Sequence, residues 1–465
     1  MSQQKCSFLP RLIYNPPMPR ICLLPCFLLG FAVSATAQGP PDLKQSVDAQ
    51  LPALIETYKD FHRNPELSHH EEHTSAKLAA DLRKLGYTVT EHVGVYEDGD
   101  KKTPAWGMVA VLENGPGPRL LIRSDMDALP VEEKTGLDYA SHVMSVNAEG
   151  QPSPVMHACG HDIHMTVLLG TAKELVEHKS QWHGTVMLVG QPSEETIDGA
   201  RAMLADHFYQ RFGKPDFVLA EHDSPGVATG DISIKGGPLL ASSTSIDVVM
   251  RGIGTHGSKP EAGKDPILLA AEFVMLAQTI VSRQVDPQQP AVLTVGTIHG
   301  GLKRNIISDQ VTMGLTLRTY SDAVRDQIIA AVRKTAEGVA VAYGIPADRM
   351  PIVTVSKTEI TPATINDTAF AERIRKSAVA ALGSEHVKLA EPVMGSEDVG
   401  QFSLNGSIPM VMYQLGASDP DKLAASIQSG KPLPGLHSGL FAPVYEPTLR
   451  TGVISMTAIA MDILK

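Results

Sequence analysis

Residues 161–195 read HDIHMTVLLGTAKELVEHKSQWHGTVMLVGQPSEE. The first half, from Asp162 to Lys179, carries apolar residues at Ile163, Val167, Leu168, Leu175 and Val176, which is a helical period. The second half holds a short apolar run, Val186 to Val189, of the length a buried strand needs, and it ends in Gln191-Pro192-Ser193-Glu194-Glu195. The same alternation continues outward on both sides. Strands fit Gly107 to Leu112, Leu120 to Arg123 and Phe217 to Ala220. Helices fit Asp48 to Phe61 and Glu72 to Leu85, the latter stopped by Gly86. Strands alternating with helices predict an α/β fold whose sheet is mostly parallel and covered on both faces.

The pattern changes after Ala241. Ser245 to Arg251 alternates apolar and polar residues, and Asp265-Pro266 reads as an N-cap with proline at the first helical position, opening a helix to Arg283. Strands then fit Val292 to Ile298 and Gln310 to Arg318, a helix fits Asp322 to Tyr343, and a strand fits Ile352 to Ser356. The order β-α-β-β-α-β is the split βαβ plan of ferredoxin-like domains. An inserted α+β domain is therefore expected over 241–356, dividing the α/β domain into 38–240 and 357–465. In the second part Ala369 to Leu382 reads as helix, Pro409 to Leu415 as strand and Pro447 to Leu464 as the terminal helix.

A length of 465 residues exceeds what one core usually organises, which suits such a division. The formal net charge of -11 lacks the basic field that nucleic-acid binding needs. No apolar run reaches the ~18 residues of a membrane-spanning helix. At the N-terminus, Lys5, Arg11 and Arg20 precede an apolar stretch from Ile21 to Val33 and then Ala35-Thr36-Ala37, the order of a secretory signal peptide over 1–37. Export to a periplasmic or secreted location follows from that reading. Cys6, Cys22 and Cys26 lie in this leader, so the exported chain keeps Cys159 alone and forms no internal disulfide.

Polar residues gather at the ends of the expected strands. Leu120 to Ile122 runs into Arg123-Ser124-Asp125-Met126-Asp127, Val186 to Gly190 into Gln191 to Glu195, and Phe217 to Ala220 into Glu221-His222-Asp223. Ligands of open α/β sheets sit beyond the carboxyl ends of strands, so these clusters converge. His157-Ala158-Cys159-Gly160-His161-Asp162 lies just before a helix, and Gly435-Leu436-His437-Ser438 between the last strand and helix. Taken alone, a Cys-x-His pair is more often a buried thiol at a helix cap, and adjacent acids are more often a solvated loop. Placement at one sheet edge with histidines changes that balance, because thiolate, imidazole and carboxylate are all transition-metal ligands. Two adjacent glutamates suit metal-assisted hydrolysis. One binds the cation, and the other takes a proton from water whose pKa the cation lowers to about 7.

The segments MHACGHD, QPSEE, GTHGSKP, NIISD, GSEDVGQFS and GLHS together resemble the aminoacylase and carboxypeptidase metallohydrolase superfamily, in its amidohydrolase branch, which contains hippurate hydrolase, N-acetyl-diaminopimelate deacetylase and indoleacetyl-amino-acid hydrolases. The resemblance implies an α/β domain holding two divalent ions, manganese or zinc with cobalt or nickel as substitutes, and an inserted domain that makes a homodimer. It carries five metal ligands onto Cys159, His161, Glu195, His222 and His437. Glu194 matches the general base and Asp127 the acid that orients a ligand, while Asp125 stands where distant relatives have a metal-binding histidine. His256 matches an inserted-domain histidine that reaches substrate, often from the partner subunit; Asn305 and Arg318 match positions near the substrate's carboxylate or carbonyl. Glu221 departs from the family pattern, since many members have a small or apolar residue there, and is expected to make the site more acidic. His157, His164 and His299 read as structural or supporting residues, and Glu397 and Asp398 as either pocket-facing or a surface turn.

The implied activity is hydrolysis of the amide bond of an N-acyl amino acid or a similar small peptide-like substrate. Within the same fold a dipeptidase or carboxypeptidase is the alternative. A thiol hydrolase using Cys159 leaves Glu195, His222 and His437 unexplained, and a non-catalytic binding protein leaves the complete ligand set and its base without a use.

Overall fold

A computed structural model describes residues 42–465. The leader expected over 1–37 lies outside the described residues.

The central sheet has eight strands. In spatial order they are Thr88–Asp98, Lys101–Asn114, Gly184–Gln191, Arg119–Asp125, Phe217–Ala228, Met410–Ser418, Ile232–Ile234 and Val387–Leu389. Arg119–Asp125 pairs in parallel with Gly184–Gln191 and with Phe217–Ala228, which in turn pairs in parallel with Met410–Ser418. The strands on one flank are antiparallel: Thr88–Asp98 and Lys101–Asn114 form a hairpin, and the second of them runs antiparallel to Gly184–Gln191. The inner strands are buried along their length, as all eight residues of Gly184–Gln191 show. That two-sided burial explains their continuous apolar runs.

Helix His161–Glu177 is buried on nearly every side, between the sheet and helices Leu43–Arg63 and Tyr445–Ile463. The close approach depends on Gly170, where a Cβ would collide with Val453 and Leu54. Leu43–Arg63 contributes Val47, Leu51, Leu54, Tyr58 and Phe61, spaced three and four apart on one face. Each such side chain contributes about 1.5–3 kcal/mol on burial.

A second sheet of four antiparallel strands is built from Ala291–Gly300, Gln310–Thr319, Ser243–Arg251 and Ile352–Thr361, in that spatial order. Helices Pro266–Gln284 and Asp322–Ala342 complete a β-α-β-β-α-β sequence with its own apolar cluster. The Asp265 side chain accepts a hydrogen bond from the Ile267 amide, fixing the start of the first helix. By length and composition Pro266–Gln284 is apolar enough to cross a membrane, although no unbroken apolar run of that length was expected. One face of this helix, including Leu269, Phe273, Ala277 and Ile280, is buried on its own sheet.

Candidate metal centre

The carboxyl ends of Arg119–Asp125 and Gly184–Gln191 deliver Asp125 and Asp127, and Glu194 and Glu195, to one edge. His222 joins them from within Phe217–Ala228, which runs on past the expected end at Ala220 and past its pairing with Arg123. The turn 157–160 and the loop holding His437 close over it, tied together by a hydrogen bond from the His437 amide to the Ala158 carbonyl at 2.8 Å. Gly160 is required in that turn. Its φ is +78°, and a Cβ there would collide with the carboxylate of Asp223. Cys159 and His161 are thereby presented from either side of a glycine.

The histidine tautomers follow from their partners. His161 Nδ1 lies 2.8 Å from the Asp127 carbonyl, and His222 Nδ1 lies 2.7 Å from the Asp223 carbonyl. A carbonyl only accepts, so each Nδ1 carries a proton and Nε2 is the ring nitrogen left to face the site. The His161 Nε2 is buried with no hydrogen-bond partner, as is Glu195 Oε1 3.9 Å away. His222 Nε2 faces Cys159 Sγ at 3.6 Å, and His437 Nε2 lies 3.3 Å from Glu195 Oε2. The ligand atoms of Cys159, His161 and His222 lie within 4.8 Å of one another, and so do those of Cys159, Glu195 and His437. The two sets share the thiol.

Charge points the same way. Burial, reinforced by the carboxylates of Glu195 and Glu194, pushes the Cys159 thiol well above its ordinary value. Burial and the Glu397 and Glu195 carboxylates push Glu194 up, and burial raises Glu195 to about 7. Burial works against a charged His161, yet the carboxylates of Asp125 and Asp127 outweigh it and raise the ring to about 9. The centre thus buries more acidic groups than its own cations balance, and Cys159, Glu194 and Glu195 hold their protons more tightly as a result. Imidazole nitrogens turned to the site, a thiol and carboxylates in this number fit divalent cations with nitrogen, sulfur and oxygen ligands.

A tier of buried groups holds these residues. The Asp127 carboxylate accepts from the Glu194 and Glu195 amides at 3.1 and 3.0 Å and from the Ser68 hydroxyl at 2.6 Å. His164 donates to Asp125 Oδ1 at 2.6 Å and accepts from the Asp223 amide at 2.9 Å, bridging two strand ends. Arg123 is fully buried and pairs with Asp125, Glu397 and Asp398. Glu397 and Asp398 are therefore no surface turn; they are 1% and 0% exposed, and Glu397 also lines the pocket. The expected effect of Glu221 on the pocket is corrected. It is buried and absent from the pocket lining, whereas the two residues after it, His222 and Asp223, line the pocket.

The site opens into a pocket of about 920 Å³ lined by Cys159, Glu194, Glu195, His222 and His437, and by Arg318 from the second sheet. Arg318 donates to the Ser396 hydroxyl at 2.7 Å. His256 and Asn305 do not reach this pocket. They sit beside each other on the inserted layer, where the Gly257 amide donates to the Asn305 carbonyl and the exposed His256 ring bonds Ser258. Reasoning from sequence missed Arg123, Ser68 and Glu71. Arg123 alone left a signal, as a cation at the end of an apolar strand beside two acids.

The model of the Peptidase family M20/M25/M40 matches residues 121–429. The chain belongs to this family. It is an amidohydrolase with the mixed α/β fold of the family's solved structures. The chain is 35% identical to a hippurate hydrolase of Campylobacter jejuni over 361 residues, 76% of this chain and 87% of that one. It is 32% identical to a thermostable carboxypeptidase 2 of Saccharolobus solfataricus over 382 residues, 82% of this chain and 90% of that one. A Bacillus subtilis structure described as a dinuclear metal binding peptidase from the M20 family superposes with a TM-score of 0.70 at 27% identity, covering 90% of this chain and 99% of the other.

Proposed function

We propose that this M20 hydrolase cleaves the amide bond of N-acyl amino acids, with Glu194 as its proton carrier. One observation carries the reading: Cys159, Glu195, His222 and His437 line one pocket beside the Glu194 carboxylate, and the unpartnered Nε2 of buried His161 lies against them, within 4.8 Å of ligand atoms of Cys159 and His222 and of Glu194 and Glu195.

Cys159, His161, Glu195, His222 and His437 would hold two divalent cations, with zinc suited to the thiolate and manganese, cobalt or nickel as substitutes. Bound there, they would supply Lewis acidity and a water that ionises near neutral pH. The chain's own residues do the rest. Burial keeps the Glu194 carboxylate a stronger base than an exposed one, so it takes a proton from water and later delivers it to the departing amine nitrogen. Asp127 fixes Glu194 and Glu195 through their amides. Arg318 is the one arginine or lysine among the described lining residues, and it suits the carboxylate of an amino-acid substrate. A carboxypeptidase or dipeptidase activity uses the same arrangement with a peptide in place of the acyl group, and the S. solfataricus relative favours keeping that reading.

The working unit is proposed to be a homodimer. Ile267, Leu268, Met275 and Leu276 are exposed on helix Pro266–Gln284, as are Val292 and Ile298 on the edge strand Ala291–Gly300. A partner covering this face would bring its own exposed histidine toward the pocket, a use for His256. Export by the leader over 1–37 is proposed on its charge and apolar pattern, and cell fractionation tests it. The activity test is a hydrolysis screen over N-acyl amino acids and dipeptides, with enzyme stripped by chelator and reloaded with zinc, manganese or cobalt. Activity that disappears on stripping and returns on loading supports the reading; hydrolysis unchanged by stripping contradicts it.

A further inference from the structure

The segment Glu66–Glu71 precedes the part of the chain matched by the family model, yet it grips the loop that carries Glu194 and Glu195. Three consecutive amides of that loop each donate to a buried carboxylate. The Ser193 amide donates to Glu71 Oε1 at 2.8 Å, and the Glu194 and Glu195 amides to Asp127 at 3.1 and 3.0 Å. Ser193 adopts φ +54°, a left-handed conformation that a non-glycine residue keeps only when its surroundings hold it. Its hydroxyl donates to Glu71 Oε1 at 3.0 Å and meets the Tyr96 hydroxyl at 2.6 Å and the His69 amide at 2.9 Å. The His69 amide also bonds Glu71 Oε1 at 3.1 Å. The strap is itself pinned beside Asp127: Ser68 donates to the Asp127 carboxylate at 2.6 Å, and the Ala128 amide donates to the Glu66 carbonyl at 2.8 Å. Glu71 is wholly buried.

We infer that Glu71 is a positioning residue for the hydrolytic step: through Ser193 it locks the strained turn that aims Glu194 at the reacting atoms and Glu195 at its cation. Tyr96 completes the lock from the neighbouring hairpin. The inference rests on the roles proposed for Glu194 and Glu195. A carbonyl-type oxygen at position 71 is what the turn needs, so glutamine should preserve the geometry and alanine should release it. Burial, with the Asp127 carboxylate nearby, raises Glu71 to about 8, so glutamine also resembles its neutral-pH form.

The test compares Glu71→Ala, Glu71→Gln and Tyr96→Phe with the native enzyme in full steady-state kinetics, with bound metal measured on each preparation. Glu71→Ala should lose at least about tenfold in kcat with KM within about twofold and metal content unchanged. Glu71→Gln should recover kcat to within about threefold of native. An alanine variant at native kcat overturns the inference, and so does a glutamine variant that fails to recover activity. Should the alanine variant not fold, Tyr96→Phe decides: a kcat about threefold lower supports the lock, and a native kcat overturns it. A Glu194→Gln enzyme that still turns over would sink the underlying reading instead, so the two failures are told apart.

Discussion

Gly160→Ala probes how the metal centre is shaped. Two costs apply. Alanine at φ +78° costs about 1–2 kcal/mol, because Cβ crowds the following carbonyl in the left-handed region. The same Cβ would also overlap the buried carboxylate of Asp223, which is held facing His164 Nε2 at 3.3 Å and His222 Nδ1 at 3.4 Å. Overpacking of this kind adds about 1–3 kcal/mol. Gly150 separates the two terms, since its φ is +75° and nothing lies within 4 Å of the added Cβ. Urea unfolding should therefore show Gly150→Ala destabilised by the conformational term alone and Gly160→Ala by about 2–5 kcal/mol in total. Because the Asp223 carbonyl sets the His222 tautomer, Gly160→Ala should also weaken metal binding in a competition assay, whereas Gly150→Ala should not. Equal unfolding midpoints for the two variants, with native metal affinity in both, would refute the reasoning.

Other outcomes follow from named contacts. Arg123→Met leaves Asp125, Glu397 and Asp398 buried without their shared cation, and urea unfolding should show a loss of about 3–5 kcal/mol. His62 is raised to about 9: burial opposes the charged ring, and hydrogen bonds to Asp162 and Glu133 outweigh it. The folded value lies above the unfolded one, so this stabilisation is complete below about pH 6.5 and is lost as pH rises through about 9, for a total of about 3 kcal/mol. The stability gap between native enzyme and His62→Gln should close over that window; a constant gap contradicts it. If the proposed homodimer brings the partner's His256 to the pocket, His256→Ala should lower kcat/KM by about a hundredfold without changing the size-exclusion elution, and native activity would contradict that role.

Much of this architecture was legible because burial leaves a period in the sequence. Helix His161–Glu177 and strands Gly184–Gln191 and Ser243–Arg251 fall within two residues or so of their expected bounds. Thr88–Asp98 was not, because Gly94 and alternating polar residues hide a flanking strand. The expected ligands could be nominated from strand ends, and the structure brings Cys159, Glu195, His222 and His437 to one pocket with buried His161 just behind them. The grip of Glu71 on Ser193 spans 122 residues of sequence, and no local pattern records such a contact. Glu221 lies outside the pocket lining although His222 and Asp223 beside it line it, a difference that the three adjacent polar residues do not record in sequence.

Glu194→Gln tests the central claim most directly, because it removes the proton carrier while leaving the cation-binding groups intact. Turnover of the best N-acyl amino acid should fall at least about a hundredfold with metal content unchanged from native. Near-native turnover by that variant, with its metal still bound, would contradict the account.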